Sequence, residues 1–156
     1  MPKTLEPLLG SHRFFAGLDP AYLTLLAGCA KNVVLPAGAF VFTEGASADR
    51  FYLIRDGVLA LEVAAPGRSP IVVQTLRAGD VAGFSWLVDP RHRWQADGRV
   101  VERVRALEMD GTCMRGRCEA DPRLGYELMR RFAGLATALL EATRLQLLDV
   151  YGHALP

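Results

Sequence analysis

This sequence lacks long apolar runs, a large net charge of either sign and an even set of cysteines. No segment approaches the ~20 consecutive apolar residues of a membrane-spanning helix, and the N-terminus lacks the apolar core and cleavage site of a secretory signal. With 18 basic and 17 acidic residues, the formal net charge is +1, so no overall field attracts nucleic acid. The three cysteines are an odd number without the spacing of a disulfide framework, which favours a reducing compartment. We therefore expect a cytoplasmic protein without a membrane partner.

Catalytic and metal-binding signatures are also scarce. The histidines, His12, His92 and His153, are scattered and lack the paired spacing of a metal-binding jelly roll. The sequence has neither a nucleophile elbow nor a Walker-type glycine loop. It therefore predicts a protein that is not an enzyme, with no catalytic residue and no metal. A cupin-like enzyme is the distant alternative.

The cysteines have no assigned chemistry. Cys29 lies in a predicted helix, where a small buried hydrophobe is the simplest interpretation. Cys113 and Cys118 lie around Arg115 and Arg117, a setting that can lower a thiol pKa. No third and fourth ligand accompanies them, so neither zinc nor an iron–sulfur cluster is predicted. The role of Cys113 and Cys118 stays open.

The middle of the chain has the pattern of an antiparallel β protein. From Lys31 onward, short runs rich in β-branched and aromatic residues each end at a glycine. These glycines recur about every ten residues, the rhythm of a roll, sandwich or barrel. Asp56-Gly57 is predicted to form a tight hairpin turn, because Asp-Gly supplies positive φ angles. The fold class is therefore mainly β with flanking helices.

Helices are predicted on both sides of the β region. A short amphipathic helix is expected over residues 5–16, and Asp19-Pro20 and Asp121-Pro122 are helix starts with aspartate as the N-cap. The second start opens about 28 residues without proline. These patterns divide the chain into a helical lead (1–17), a β roll (18–120), a long C-terminal helix (121–150) and a tail (151–156).

The long helix carries two apolar stripes. One follows 4-3-4-3 spacing from Leu128. The other is offset from it and consists of Met129, Ala136, Leu140 and Leu147. One stripe can cover the β core, and the other is then left for a second copy of the chain. The alternative is that both stripes pack internally. The residues predicted at a homodimer interface are Leu128, Phe132, Leu135, Leu139 and Leu147.

The stretch from Arg77 to Ala96, RAGDVAGFSWLVDPRHRWQA, is the candidate ligand site. Small residues allow a ligand to approach main-chain N–H groups, and an arginine side chain supplies a permanently charged, forked donor. This combination is typical of an anion cradle.

The order of elements resembles the cyclic-nucleotide-binding domain of the Crp/Fnr family of bacterial regulators. LPAGAFVFTEGASADRFYLIRDGVLALEV is similar to that family's opening roll, LRAGDVAGFSWL to the strand leading into its phosphate-binding cassette, and DPRLGYELMRRFAGL to the start of its dimerising helix. The resemblance covers roughly residues 18–152. It implies an antiparallel β roll of the jelly-roll type with a long C-terminal dimerisation helix.

The cassette of the family reads Gly-Glu-Leu, a short helix, and then arginine followed by small residues. By this resemblance the glycine is Gly83 and the phosphate partner is Arg93, but Phe84 stands where the ribose-binding glutamate is expected. A hydrogen bond to a charged partner contributes about 1.5–3 kcal/mol, so its loss weakens binding roughly 10- to 150-fold. The candidate pocket residues are Gly83, Phe84, Ser85, Trp86, Arg93, Trp94 and Gln95.

The resemblance implies a non-enzymatic regulatory or sensor protein. The changes in the cassette favour lost or altered cyclic-nucleotide recognition, with action through dimerisation or a protein partner. The alternative is a regulator that binds cyclic AMP, cyclic GMP or another anion through Arg93. LQLLDVYG resembles the family's hinge before its helix-turn-helix, and the sequence ends soon afterwards. Direct DNA binding is therefore not expected, and a truncated partner of a full-length family member is a third hypothesis.

Overall fold

The computed structural model describes residues 5–89 and 91–154, which form four α-helices, six strands and two short 3₁₀ helices. The chain opens with α1 (Glu6–Ser11), a 3₁₀ helix (Arg13–Phe15) and α2 (Pro20–Ala27). The strands are β1 (Ala30–Leu35), β2 (Phe40–Phe42), β3 (Arg50–Val63), β4 (Ile71–Leu76), β5 (Val81–Ala82) and β6 (Asp97–Asp110). A second 3₁₀ helix (Ser85–Val88) precedes β6, and α3 (Gly111–Ala120) and α4 (Pro122–Ala154) follow it.

The two long strands, β3 and β6, organise the sheet. They pair antiparallel from Arg50↔Asp110 to Glu62↔Asp97. β6 also pairs with β1 and β2, and β3 also pairs with β4 and β5, all antiparallel. The predicted fold class, mainly β with flanking helices and a long C-terminal helix, is confirmed.

The predicted hairpin at Asp56-Gly57 is wrong, because β3 runs through both residues. The pairing of β3 with β6 shifts register between Ile54 and Leu59, so this glycine lies in a bulge. Its φ is +92°, and a Cβ there would collide with the backbone of Arg103 on β6. A positive φ fits both a hairpin turn and a bulge, so local sequence did not distinguish them.

Both Asp-Pro helix starts are confirmed. The Asp19 carboxylate accepts a hydrogen bond from the Ala21 N–H (2.9 Å), and the Asp121 carboxylate accepts from the N–H groups of Arg123 and Leu124 (3.1 and 3.3 Å). α4 continues to Ala154, into the segment predicted as a tail. With 33 residues it is about 50 Å long.

The first half of α4 is part of the chain's own core. Leu124, Leu128 and Phe132 are 0%, 0% and 7% exposed and pack with Phe51, Leu53 and other side chains on the helical side of the roll. A second cluster, with Tyr52, Ile54, Leu59, Trp86 and Val100 among its members, fills the roll. Beyond residue 139, the large apolar side chains of α4 are exposed. The helix therefore covers its own domain only along its first half.

Cys29 and Cys113 form a disulfide, which corrects the interpretation of Cys29 as an isolated buried hydrophobe. Their Cα atoms lie 5.6 Å apart, although 84 positions separate them in sequence. The sheet brings them together: β1 pairs with the end of β6, and the Asp110 N–H donates to the Cys29 carbonyl (2.9 Å). Cys113 then follows on the first turn of α3.

Cys118 is the free cysteine. Burial, reinforced by Asp121 and Glu119, raises the pKa of its thiol. The suggestion that neighbouring arginines lower a thiol pKa in this segment is therefore wrong for Cys118.

Candidate functional site

A cavity of about 660 Å³ lies between the mouth of the roll and α4. Side chains from the strands, from the segment after β5 and from one side of α4 line it. The lining residues are Phe42, Leu61, Val63, Val73, Gln74, Val81, Gly83, Phe84, Ser85, Leu87, Trp94, Gln95, Ala96, Met129, Phe132, Ala133, Ala136, Leu139, Leu140 and Thr143. This is the size of a typical small-molecule site.

Among the described residues, no charged side chain lines the cavity. The polar side chains in the part of the lining that the structure describes are those of Gln74, Ser85, Gln95 and Thr143, besides the indole nitrogen of Trp94. Two of them are already engaged: Gln95 Nε2 donates to Asp89 Oδ2 (2.5 Å), and Thr143 Oγ1 donates to the Leu139 carbonyl (2.9 Å). A buried anion without a paired charge is costly. The walls therefore suit an uncharged molecule.

Asp89 and Arg91 form an ion pair next to this segment. The Arg91 guanidinium and backbone N–H both donate to the carboxylate, which lowers the pKa of Asp89 below its ordinary value. Neither residue is in the cavity lining. The Arg91 guanidinium is therefore paired with the Asp89 carboxylate and is not available to bind an anion in the cavity.

Gly83 and Trp94 lie against each other in the lining of the cavity. The Trp94 ring stacks on Phe42 with centroids 5.0 Å apart and planes 18° apart. Gly83 has φ +81°, and a Cβ there would lie 3.1 Å from the Phe42 ring and 3.2 Å from Trp94 Nε1. Only glycine therefore allows the indole to lie this close to the chain. Trp94 is 9% exposed, and its Nε1 has no hydrogen-bond partner among the described residues.

Phe84 connects the cassette to α4. It is the N-cap residue of the 3₁₀ helix Ser85–Val88, and its ring stacks on Phe132 at 5.9 Å between centroids. At this position the resemblance implies a glutamate that binds ribose. An aromatic ring here instead packs the segment against the long helix.

Arg93 is not among the lining residues. Its Nη1 donates to the Gly45 carbonyl at 2.6 Å, and its backbone forms a bridge with Ser47. The side chain therefore holds the loop between β2 and β3. Within the described part of the chain no carboxylate pairs with it.

Trp86 is a core residue and does not line the cavity. It is 1% exposed, its Nε1 donates to the Arg50 carbonyl (2.9 Å), and the Arg115 guanidinium lies 5.5 Å from its ring centroid. Of the seven predicted pocket residues, the structure therefore brings Gly83, Phe84, Ser85, Trp94 and Gln95 together around the cavity and places Trp86 and Arg93 elsewhere.

One wall of the cavity is formed by α4, which the sequence did not predict as part of the site. Met129, Ala136 and Leu140 lie on the second apolar stripe and line the cavity. The 4-3-4-3 stripe was the stronger signal, but its first members, Leu128 and Phe132, are buried in the chain's own core. Of the predicted interface residues, Leu139 and Leu147 are exposed, by 37% and 54%, and Leu135 is half-buried.

Neither a metal-binding cluster nor a membrane-spanning helix is found in the described residues. No group of three or more histidine, cysteine, aspartate or glutamate residues there could hold a metal ion. No helix in the same residues is long and apolar enough to cross a bilayer.

Comparison with known proteins identifies relatives of this fold. Residues 32–121 match the sequence model of the cyclic nucleotide-binding domain. A CRP-like cAMP-activated global transcriptional regulator from Mycobacterium tuberculosis is 27% identical over 129 residues, which cover 83% of this chain and 57% of the regulator. The chain thus spans less than two thirds of that relative's length.

Two solved structures have the same architecture. A cyclic nucleotide-binding domain from Methylobacillus flagellatus aligns with a TM-score of 0.80 and 16% identity, over 94% of this chain and 85% of that one. The catabolite activator protein of Thermus thermophilus aligns with a TM-score of 0.68 and 25% identity, over 87% of this chain and 62% of that one. The first likeness concerns the fold alone.

Proposed function

This chain belongs to the cyclic nucleotide-binding domain family, and from that premise we propose that it is a non-enzymatic regulatory domain that no longer recognises cyclic AMP or cyclic GMP. The observation that carries the proposal is that none of the described residues lining its cavity has a charged side chain. A cyclic nucleotide has a permanent negative charge at its phosphate, and moving that charge out of water without a partner is strongly unfavourable.

The cassette residues support the same conclusion. The Arg93 guanidinium donates to the Gly45 carbonyl, the Trp94 ring covers Gly83, and the Phe84 ring packs on α4. An incoming nucleotide would need the arginine to exchange its partner and the aromatic rings to move. Each of these changes is unfavourable, and contacts between the nucleotide and the neutral side chains of the cavity would not compensate for it.

Calorimetric titration with cyclic AMP and cyclic GMP tests this proposal. We expect no saturable binding, and the Mycobacterium tuberculosis regulator, cAMP-activated by its name, is the positive control. Submicromolar binding of either nucleotide to this chain would refute the proposal.

Nucleotide binding through Arg93 is the alternative, and one observation favours it. The side chain is exposed and donates to a carbonyl oxygen, and it forms no ion pair with an acidic residue in the described ranges, so its charge is available to an anion. The variant Arg93→Gln separates the two readings. If cyclic AMP binds to the parent and binding is abolished in this variant, the alternative is correct.

We propose further that the chain forms a homodimer through the second half of α4. Leu140, Leu147 and Val150 are 59%, 54% and 64% exposed and are spaced seven and three residues apart, so they lie on one side of the helix. A row of large apolar side chains that its own domain leaves uncovered is a surface suited to association. A second copy supplies the same row, as a symmetric pair of helices requires.

Light scattering after size exclusion measures the assembly. Leu147→Glu is expected to convert a dimer into a monomer, because a charge at the seam is desolvated without a partner. Ala138→Glu is the matched control: it is also exposed on α4, but lies on the opposite side. A monomeric parent, or equal masses for both variants, would contradict the assignment. A parent that is monomeric alone but co-purifies with a full-length family member would support the heterodimer instead.

We propose that the protein is cytoplasmic. We also propose that the described residues do not bind DNA directly, because the elements that follow the roll among them are α3 and α4 alone. Disulfides in that compartment are uncommon and usually redox-responsive. Trapping thiols with an alkylating reagent during cell lysis tests the assignment. A Cys29–Cys113 bond formed in every molecule in growing cells would contradict it.

A further inference from the structure

We propose that the cavity between the roll and α4 binds a neutral, elongated and mostly apolar small molecule, an acyl or prenyl chain with an uncharged polar end. This inference rests on the proposed function, because it takes the same cavity to have lost the cyclic nucleotide. It goes further by naming the chemical class that the walls select.

The dimensions of the cavity indicate an elongated ligand. Its lining residues on α4 extend from Met129 to Thr143, which at 1.5 Å per residue is about 21 Å. The volume of about 660 Å³ lies within the range of small-molecule sites. A saturated chain of roughly sixteen carbons would place mainly CH₂ groups against these apolar walls, and burial of CH₂ groups favours binding.

The chemistry of the walls excludes charge and provides neutral polar contacts. The side chains of Gln74 and Ser85 line the cavity, and neither makes a hydrogen bond to another described residue. An amide and a hydroxyl recognise an ester, amide or alcohol through both donors and acceptors. They do not compensate a carboxylate or a phosphate, which needs a paired charge when buried.

Trp94 adds a further donor near the site. Its buried Nε1 lacks an acceptor and lies against Gly83, which also lines the cavity. The nitrogen is buried, so a ligand oxygen would reach it only after the ring tilts. A ligand that does so satisfies a donor that is otherwise buried at a cost.

The second copy of the chain is a less suitable occupant than a small molecule. The roll and α4 of the same chain form both sides of this cavity. The seam proposed for the dimer continues beyond it, at Leu147 and Val150. The two surfaces therefore meet at Leu140 but are otherwise separate along the helix.

Binding of the neutral dye N-phenylnaphthylamine to the full chain provides the test. We expect a saturable rise in dye fluorescence with one site per chain, and displacement by hexadecanol but not by hexadecanoate. Ala136→Phe should weaken dye binding at least about tenfold by filling the cavity. Ala138→Phe, an exposed position on the other side of the same helix, should leave binding within about twofold.

Four results would overturn the inference. The first two are no saturable dye binding by the parent chain, and equal dye binding by Ala136→Phe and Ala138→Phe. The third is stronger displacement of the dye by hexadecanoate than by hexadecanol. The fourth is loss of dye binding when the chain is concentrated until it forms a dimer. Displacement of the dye by cyclic AMP is a different outcome, because it would refute the proposed function as well. Absence of dye binding together with absence of cyclic AMP binding would leave the proposed function standing and remove this inference alone.

Discussion

Breaking the Cys29–Cys113 disulfide is predicted to destabilise the domain markedly. The bond links residues that are 84 positions apart, joining the turn before β1 to the first turn of α3. For a loop of that length, the loss of chain entropy in the unfolded state corresponds to about 4.6 kcal/mol, and measured values are typically 2–4 kcal/mol. In a domain of this size, each kcal/mol shifts the melting temperature by roughly 2–4 °C. We therefore expect reduction to lower it by about 4–16 °C.

The measurement is thermal unfolding with and without a phosphine reductant, together with a count of free thiols under denaturing conditions. The oxidised chain should have one reactive thiol, that of Cys118, and the reduced chain three. Cys29→Ala and Cys113→Ala should each remove the effect of the reductant on the melting temperature. Cys118→Ala should retain it, and is the matched control.

Two results would refute the reasoning about the disulfide. The first is three free thiols in protein prepared under air. The second is a thiol count that rises from one to three on reduction while the melting temperature stays the same. The second result would mean that the unfolded chain gains little freedom when the loop is opened.

Two further predictions concern stability, and chemical denaturation measures both. Gly111→Ala should lower the free energy of unfolding by about 1–3 kcal/mol, because the new Cβ would collide with the Trp86 ring. On the same helix, a Cβ at Gly116 meets nothing within 4 Å, so Gly116→Ala should raise the free energy of unfolding by about 0.5–1 kcal/mol. Equal effects of the two substitutions would contradict the described packing of Gly111 on Trp86. Burial lowers the pKa of His12, whose ring bonds the Ile54 carbonyl. Unfolding therefore takes up a proton, and stability should fall as the pH drops below about 6.5 and through the lower folded pKa. The His12→Gln variant should not show this loss of stability at low pH. If its free energy of unfolding changed between about pH 7 and pH 5 with the same slope as that of the parent, the role given to His12 would be wrong.

Much of the fold was predictable because its signals are local. An aspartate before a proline caps a helix with its own carboxylate, as Asp19 and Asp121 do. Glycines at regular intervals between β-rich runs indicated the antiparallel roll, which the structure has. Gly57 shows the limit of such signals. Its positive φ was predictable from its Asp-Gly context, but whether that φ serves a turn or a bulge depends on the β6 backbone beside it.

The candidate site was predictable as a stretch of sequence, but its chemistry was not. Five of the predicted residues do line a cavity: Gly83, Phe84, Ser85, Trp94 and Gln95. The direction of the Arg93 side chain depends on a carbonyl 48 positions away, on the loop between β2 and β3. The opposite wall depends on α4, where Ala136 and Leu140 follow a stripe that was weaker in sequence than the one buried in the core.

The sequence by itself determined the β roll, the helix starts and the absence of a glutamate at Phe84, because propensity, capping and residue identity act within a few positions of the chain. Only the tertiary structure decided which cysteines meet and that the cavity is lined, over the described residues, by uncharged side chains. Those properties arise when strands and helices distant in sequence pack together. Their physical cause is long-range register and packing, which a pattern along the chain does not encode.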